Sequence, residues 1–499
     1  MSIYAIFNNL PALLVVVPLL LAPIAALIPV GRLAWVLTLL GTGVSVIVAI
    51  LLCSVTASGI RITYFLGNWP PPWGIEFVVD SATSLTVMVM TTLAFLATLF
   101  AGRALAAEIA AKDVGKAYAA WLLACGGLYG LVMTADAFNL FVFLEISALA
   151  SVILIALGAG QDRRALIAAY NYLVIGAVGA IFYVIGVGFI YAVTGSLNMA
   201  DLAERIPAVD ASSIIFIGFG FMVAGMLVKA AVFPVHIWLP AAYSYAPSAV
   251  STLLAAIATK AAIYVLARIV FTIFAGVPEI TALALEWVVV PLSIAGIFVG
   301  TVMAIYERDL KKMLAFSSIA QIGYITLGIG IATGAGIAAG FIHIGNHALI
   351  KGGLFMAVGG IFLATGSRVS VESMTGIGRK MPLTATAFLI CGLSLIGLPL
   401  TAGFISKLYL VRALLDNDNL VIVGLVLASS ALSVMYLWKI VEVMWVRPAA
   451  IDTLEISERP ALYIPLWIIA LANIWLGFDA SWLVGAAEAA AAALLGAGG

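Results

Sequence analysis

Of the ten lysines in the 499-residue chain, five lie inside long apolar stretches: Lys229, Lys260, Lys351, Lys407 and Lys439. Placing a charge at bilayer depth costs about 2.5–3.5 kcal/mol on insertion scales. Lysine is also the basic residue that readily releases its proton when buried, so these positions suit proton exchange. Glu145, in DAFNLFVFLEIS, is a carboxylate in the same setting, and its expected partner is Lys229, in GMLVKAAVFPVHIWLP. Held together, the two keep their charges; drawn apart, the lysine gives up its proton. That is a two-state proton gate that needs no cofactor. A fixed ion pair that locates one helix against another would use the same residues. Pro234, shortly after Lys229, breaks the helical backbone beside the pair and favours the gate.

The three histidines fall in two motifs. His236 follows Pro234 in FPVHIWLPAAYSYAPSAVS. His343 and His347 recur with Lys351 at four-residue steps in FIHIGNHALIKGG, which puts all three on one helical face. Imidazole titrates near neutrality and passes protons through either ring nitrogen. Gluing helices together by polar contacts is the alternative role. No HExxH glutamate and no third acidic ligand accompany the histidines, so no metal site is expected. Lys407, in GLPLTAGFISKLYL, stands by a second helix break as Lys229 stands by the first. The result is an expected membrane-parallel row: Glu145, Lys229, Lys260, the His343/His347/Lys351 group and Lys407. Lys439 and Glu442, one turn apart, read instead as a helix-end pair with a snorkelling lysine. Asp136 is either an outer entry group for protons or cations or, more simply, a helix N-cap.

The elements that carry these residues follow from composition. The chain is 65% hydrophobic and only 9% charged, against about 25% charged in a soluble domain, so its solvent is lipid. Fourteen apolar segments lie near 11–30, 34–56, 81–102, 118–134, 137–159, 166–194, 213–238, 248–274, 281–305, 311–332, 337–364, 381–413, 419–446 and 461–485. Runs of this length are spanning helices, because only helices or closed barrels satisfy their backbone in hydrocarbon. The fold class is therefore an all-α polytopic membrane protein. The first segment lacks a basic leader and reads as a retained span. Loops after odd-numbered spans carry fourteen basic residues, among them Arg103, Lys112, Arg163, Arg308, Arg368 and Arg459, and loops after even-numbered spans carry two, Arg61 and Arg205. The positive-inside rule places the first group in the cytoplasm and both termini on the other side of the inner membrane.

Residues 57–80 are β-branched and aromatic around a Pro-rich turn, a hairpin expected to lie on the outer membrane surface. Pro234 interrupts the seventh span and Gly397–Leu398–Pro399 the twelfth. Corresponding breaks in two halves point to inverted five-helix repeats. The expected organisation is residues 1–117 with helices 1–3, a first repeat at 118–274 with helices 4–8, a second at 281–446 with helices 9–13, and 447–499 with helix 14. Cys53, Cys125 and Cys391 are scattered and form no CxxC pair, and no Walker loop, GxGxxG or haem-type constellation occurs. No cofactor, direct ATP use, electron transfer or nucleic-acid binding is expected.

These motifs resemble those of the antiporter-like proton-translocating subunits shared by respiratory complex I and the Mrp-type multisubunit sodium/proton antiporters. DAFNLFVFLEI is similar to the fifth-helix glutamate motif at Glu145, and GMLVKAAVFPVHIWLPAAYSYAPSAVS to the seventh-helix lysine motif at Lys229. ATKAAIYVLARI resembles the eighth-helix motif at Lys260, HIGNHALIKGGLF the eleventh-helix His/Lys motif, and GLPLTAGFISK the twelfth-helix motif at Lys407. The hairpin GNWPPPWGI, a lysine rather than a glutamate in the twelfth helix and an end after the fourteenth span look most like the D-type antiporter subunit, with the N-type complex I subunit and membrane-bound hydrogenase subunits as the nearest alternatives. The resemblance implies a heteromeric membrane complex that exchanges protons for a monovalent cation, Na+ foremost, with this chain as a secondary-transport subunit rather than an enzyme. In a complex I setting it would be part of an NADH:quinone oxidoreductase without a redox cofactor of its own.

Overall fold

The computed structural model describes residues 3–447 and 458–496, with side chains from Asn8 onward. Part of the link between the last two spans, 448–457, therefore lies outside the described residues. The chain is helical almost throughout. Its spans are α1 Ile3–Leu27, α2 Gly31–Thr56, α3 Ser81–Glu108, α4 Ala111–Met133, α5 Ala137–Gly160 and α6 Arg164–Thr194. Next come α7a Ser212–Lys229, α7b Trp238–Tyr245, α8 Ser248–Ile273, α9 Pro278–Tyr306, α10 Leu310–Gly330 and α11 Gly334–Thr365. The chain ends with α12a Pro382–Ile396, α12b Ala402–Leu415, α13 Leu420–Val446, α14a Pro460–Phe478 and α14b Ser481–Leu494. Among the described residues thirteen helices are long and apolar enough to cross a membrane, and the expected twelfth segment is divided into α12a and α12b. At Met381 the short helix that precedes α12a meets it at 114°. This is the expected all-α polytopic membrane protein.

Both expected breaks are present. Helix α7a stops at Lys229, and Ala231 turns the chain in the left-handed region at φ 57°. Helix α12a stops at Ile396, and Gly397 at φ 90° and Leu400 at φ 68° carry the second turn. Such backbone is held only where surrounding contacts over-determine it, at about 1–3 kcal/mol per non-glycine residue. The expected equivalence of the two lysines holds for their nearness to a break but not for their side of it. Lys229 closes the half-helix before its break, whereas Lys407 lies in the second turn of the half-helix after its own. The last span also differs from expectation. It runs past residue 485 and is broken between Phe478 and Ser481. The two breaks pack together: a Cβ added at Gly477 would stand 2.3 Å from the Leu400 carbonyl.

The hairpin forms where expected, as β1 Ile62–Phe65 antiparallel to β2 Glu76–Val79, with Ile62 opposite Val79. It does not simply lie on a membrane surface, because all of β2 is buried by protein. The Glu76 carbonyl accepts from Ala135 N at 3.0 Å, and its carboxylate accepts from Asn198 Nδ2 at 2.8 Å. Asp80 and Arg268 join the start of α3 to α8 by a partly buried ion pair that charge counting in loops does not anticipate. At the hairpin tip Trp69 and Trp73 stay exposed.

At the α12 break the two half-helices approach through glycine. A Cβ on Gly403 would lie 1.8 Å from the Ser394 carbonyl oxygen, and Gly403 N donates to Ser394 Oγ at 3.0 Å. Both atoms at the collision belong to rigid backbone, so the halves must separate to admit a methyl group. The Gly403→Ala variant is expected to unfold at least about 2 °C below wild type in detergent, in line with the 1–3 kcal/mol typical of overpacking. An unchanged melting temperature would contradict this close approach.

Candidate functional site

Helix α10 is buried from Met313 to its end, with Ser317, Gln321 and Tyr324 spaced along one face. Against it lies α11, whose His343, His347 and Lys351 fall at the same helical spacing. Lys351 Nζ donates to Leu314 O at 2.9 Å and to Ser317 Oγ. The rings of His343 and His347 are nearly parallel, at 6° and 6.1 Å between centroids. His343 Nδ1 meets Ser406 Oγ at 2.7 Å, and its Nε2 meets Gln321 Oε1 at 2.9 Å. Ser406 in turn donates to Gly403 O at 3.1 Å. A carboxamide can present either end, so Gln321 accepts from an imidazolium in one orientation and donates to a neutral ring in the other. His347 is fully buried, yet neither ring nitrogen has a protein partner.

Lys407 reaches back across its helix break. Its Nζ donates to the Ile396 carbonyl at 2.7 Å, to Leu395 O at 3.3 Å and to Ser430 Oγ at 3.0 Å, and it lies 4.9 Å from the centre of the Tyr324 ring. Those carbonyls are free because α12a ends there. Gly397 is required twice over: its φ is positive, and a Cβ would press to 2.9 Å on Lys407 Cδ. Lys260 follows a π-helical turn, Leu254–Ala258, and its Nζ donates to the Ala255 carbonyl in that turn. It lies within electrostatic reach of His343, His347 and Lys351, as Lys407 does of His343. The structure thus brings Lys260, His343, His347, Lys351 and Lys407 into one buried group, in which direct contacts run from Lys407 to the Tyr324 ring, from Tyr324 to His343 and from His343 to His347. Among the described residues no carboxylate is ion-paired with any of these three lysines.

Glu145 and Lys229 form a separate pair. Glu145 Oε1 lies 4.0 Å from Lys229 Nζ, a loose contact, and that oxygen has no hydrogen-bond partner although it is buried. Gly176 on α6 leaves room for the ammonium, 3.4 Å from where its Cβ would be. The row is interrupted between Lys229 and Lys260 by aromatic side chains. Trp238 Nε1 donates to Val228 O at 2.9 Å, and its ring meets Tyr172 edge-on at 5.0 Å. Tyr243 follows on α7b and donates to Leu254 O at 3.1 Å, at the start of the π turn that leads to Lys260.

Three other expectations resolve locally. His236 is buried beside Phe233 with Nδ1 unpartnered, outside that lysine–histidine group. Asp136 is the N-cap of α5, accepting from Asn139 N at 2.7 Å, and burial pushes its carboxyl above the usual range despite that bond. It sits at the helix end, remote from Glu145. Lys439 does not pair with Glu442. Lys439 Nζ reaches the Glu307 carbonyl at 3.4 Å, while Glu442 binds Arg447 at 3.0 Å, because α13 widens into a π turn at Glu442 and sets that side chain toward the chain end.

Charge spacing gives no hint of a second polar site at the basic ends of the helices. Arg368 bridges Asp162 at 3.0 Å and Asp309, and Asp162 also binds Arg164 at 2.7 Å. Both guanidinium groups lie over the Tyr245 ring, at 4.8 Å and 4.5 Å from its centre. Beside this clamp is a cavity of about 200 Å³, lined among others by Glu108, Ser244 and Lys311. Glu108 Oε2 accepts from Ser248 N at 2.8 Å, whereas Glu108 Oε1, Ser244 Oγ and Ser248 Oγ are buried without a partner. The one available signal was Glu108 itself, a carboxylate closing an apolar helix.

With this geometry in hand, the chain can be set beside known proteins. The family model described as NADH:quinone oxidoreductase/Mrp antiporter, TM, matches residues 134–433, which include every member of the two groups above. The chain belongs to this family. It is 42% identical to the N subunit of the NADH-quinone oxidoreductase of Desulforudis audaxviator (strain MP104C) over 87% of this chain and 86% of the relative. It is 30% identical to the D subunit of the Na(+)/H(+) antiporter of Bacillus subtilis (strain 168) over 98% and 97%. A chain in the structure of the Mrp complex from Dietzia sp. DQ12-45-1b superposes with a TM-score of 0.88 at 26% identity, covering 99% of this chain and 98% of that one. The family is therefore plain, while the preference for a D-type over an N-type subunit is not uniquely favoured.

The clamp around Tyr245 has a defined pH response. Hydrogen bonding from Arg164, with smaller help from Arg368, holds the Asp162 carboxyl at about 2, below its ordinary 3.8. A carboxyl lowered on folding adds stability above its unfolded value and loses it as pH falls toward the folded one. The Asp162→Asn variant should melt about 1 °C lower at pH 7, as expected for a well-solvated pair. That difference should close between about pH 4 and pH 2. A gap that persists at pH 2 would show that the carboxylate charge is not what the clamp uses.

Proposed function

We propose that this chain is the proton-conducting subunit of a multisubunit monovalent cation/proton antiporter in the cell membrane, with Na+ the expected cation and both termini outside. The observation that carries the reading is the buried group of Lys260, His343, His347, Lys351 and Lys407. Its amines lean on carbonyls and hydroxyls rather than on carboxylates. Like charges at these separations repel, so such a group favours passing one proton along over storing several. Glu145 and Lys229 act as the gate at the near end, loosened at the α7 break, and water links them to Lys260 past Trp238 and Tyr243. The vestibule at Glu108 and Lys311 is the entry from the cytoplasmic side. Helices 4–8 and 9–13 form the two inverted repeats, and the cation passes through this chain or a neighbouring subunit.

The 42% identity to an N-type oxidoreductase subunit favours a second reading, in which the same module serves a redox-driven complex of the NADH:quinone oxidoreductase or hydrogenase kind. Co-purifying subunits separate the two: small membrane partners support the antiporter, and cofactor-bearing dehydrogenase or hydrogenase subunits support the redox machine.

Both readings share one test. Lys229→Ala and Glu145→Ala should assemble normally and lose proton-coupled transport, read as Na+-dependent ΔpH in everted vesicles for the antiporter. Lys407→Arg keeps its charge but holds its proton at physiological pH, and is expected to lose transport in an intact complex. Normal exchange in the first two variants would sink the gate, and full activity in Lys407→Arg would reduce Lys407 to an electrostatic role. Failed assembly in all three would identify the buried charges as scaffold.

A further inference from the structure

At the basic end of the bundle, α3, α11, α12a and α14a leave a groove of about 160 Å³ between them. Arg103, near the end of α3, and Arg459, at the start of α14a, both line it. Both arginines are exposed, and among the described residues neither guanidinium has an ion-pair partner. The rest of the wall is largely apolar, with Met356 and Gly360 from α11 and Leu462 and Leu466 from α14a, all buried. The neighbouring carboxylates are engaged elsewhere. Glu458 accepts from Leu383 N at 3.2 Å and Thr384 N at 2.7 Å at the start of α12a. Glu108 turns away to Ser248 N.

Helix lengths give the depth of the groove. At 1.5 Å per residue α3 is about 42 Å long, which matches a bilayer with its headgroups, about 40–45 Å around a core of about 30 Å. Arg103 stands about 7.5 Å from the end of that helix, near the boundary between headgroups and hydrocarbon. Gly360 lies about as far from the end of α11, and Met356 one turn deeper. The two guanidiniums are therefore at the level of lipid phosphates, and the apolar wall runs inward from them. Arginine matches phosphate in charge and in the geometry of its donors, and basic pockets between spanning helices hold anionic headgroups. We infer that this groove binds an anionic glycerophospholipid, its phosphate between Arg103 and Arg459 and one acyl chain along Met356, Gly360, Leu462 and Leu466. The apolar wall selects a lipid over free phosphate, which has no use for it. The unanswered charges select an anionic lipid over a zwitterionic one, which carries its own cation. A Cβ at Gly360 would meet only Thr384 Cγ2, at 3.8 Å, so the missing side chain leaves room for the lipid chain. The inference holds in either an antiporter or a redox complex.

The test uses the intact complex in detergent, mixed with phosphatidylglycerol or phosphatidylcholine that carries a photoreactive diazirine in one acyl chain. After irradiation, peptide mapping is expected to find label on α11 around Gly360 and on α14a around Leu462. Phosphatidylglycerol should label these peptides about tenfold more than phosphatidylcholine, as two arginines near the membrane surface imply. Arg103→Gln combined with Arg459→Gln should bring the two lipids to equal labelling. Gly360→Leu keeps both arginines and fills the groove, so labelling by both lipids should fall. Melting temperatures in phosphatidylcholine report folding of each variant separately. Equal labelling by the two lipids in the wild type would overturn the inference. A preference that survives the double arginine variant, or full labelling in Gly360→Leu, would do the same. Loss of the label to millimolar inorganic phosphate would reduce the site to an anion site without a lipid. A benzoylphenylalanine at Leu363 that captures a neighbouring subunit in place of lipid would also sink the proposal.

Discussion

Hydrocarbon leaves no water to satisfy a backbone, so each place where a helix stops inside the membrane creates carbonyls that protein must serve. In this chain the buried amines do that work. Lys407 caps the freed end of α12a at Leu395 and Ile396, and Lys260 donates to the Ala255 carbonyl of a π turn. The indole of Trp238 serves Val228 at the end of α7a. Helix break and lysine are each unfavourable in lipid alone, and together each supplies what the other lacks. The carbonyl dipoles also hold an ammonium group without a permanent counter-charge, which a carboxylate would fix in place. Beside the other break a carboxylate does meet a lysine, but the Glu145–Lys229 contact is loose.

Much of this was legible because lipid makes charge rare. With so few lysines, those inside apolar runs identified Lys260, Lys351 and Lys407, and four-residue spacing put His343 and His347 with them. Proline and glycine marked both breaks. What stayed hidden were residues whose types are common. Ser317, Gln321, Tyr324, Ser406 and Ser430 complete the group, but serines and tyrosines occur throughout the chain, and only packing shows which ones face a histidine. The interruption between Lys229 and Lys260 was equally invisible, since the motif that contains Trp238 and Tyr243 gives no distance. The side of each break on which a lysine falls, and the replacement of the Lys439–Glu442 pair by Glu442–Arg447, depend on where a helix widens or ends by a residue or two. Periodicity does not resolve that.

The two ends of the bundle are tied in different ways. At the hairpin end the ties are a buried strand, the Asn198–Glu76 bond and the Asp80–Arg268 pair. At the basic end the ties are solvated: Arg368 spans the loops that carry Asp162 and Asp309 around the ring of Tyr245. The first set draws on burial and resists salt. The second is screened by salt and sits beside the polar cavity at Glu108.

Helix α10 has no face toward lipid. It cannot slide or tilt without opening the packing on every side, so transport by large alternating movements of this helix would disturb the whole core. Under the proposed function its polar face is a stationary track. What changes along it is the turn of a carboxamide or the swing of an amine, events of rotamer size on fast timescales. Throughput would then follow the frequency of side-chain reorientation, and the backbone amides of α10 would be among the last in the protein to exchange with deuterium while it runs.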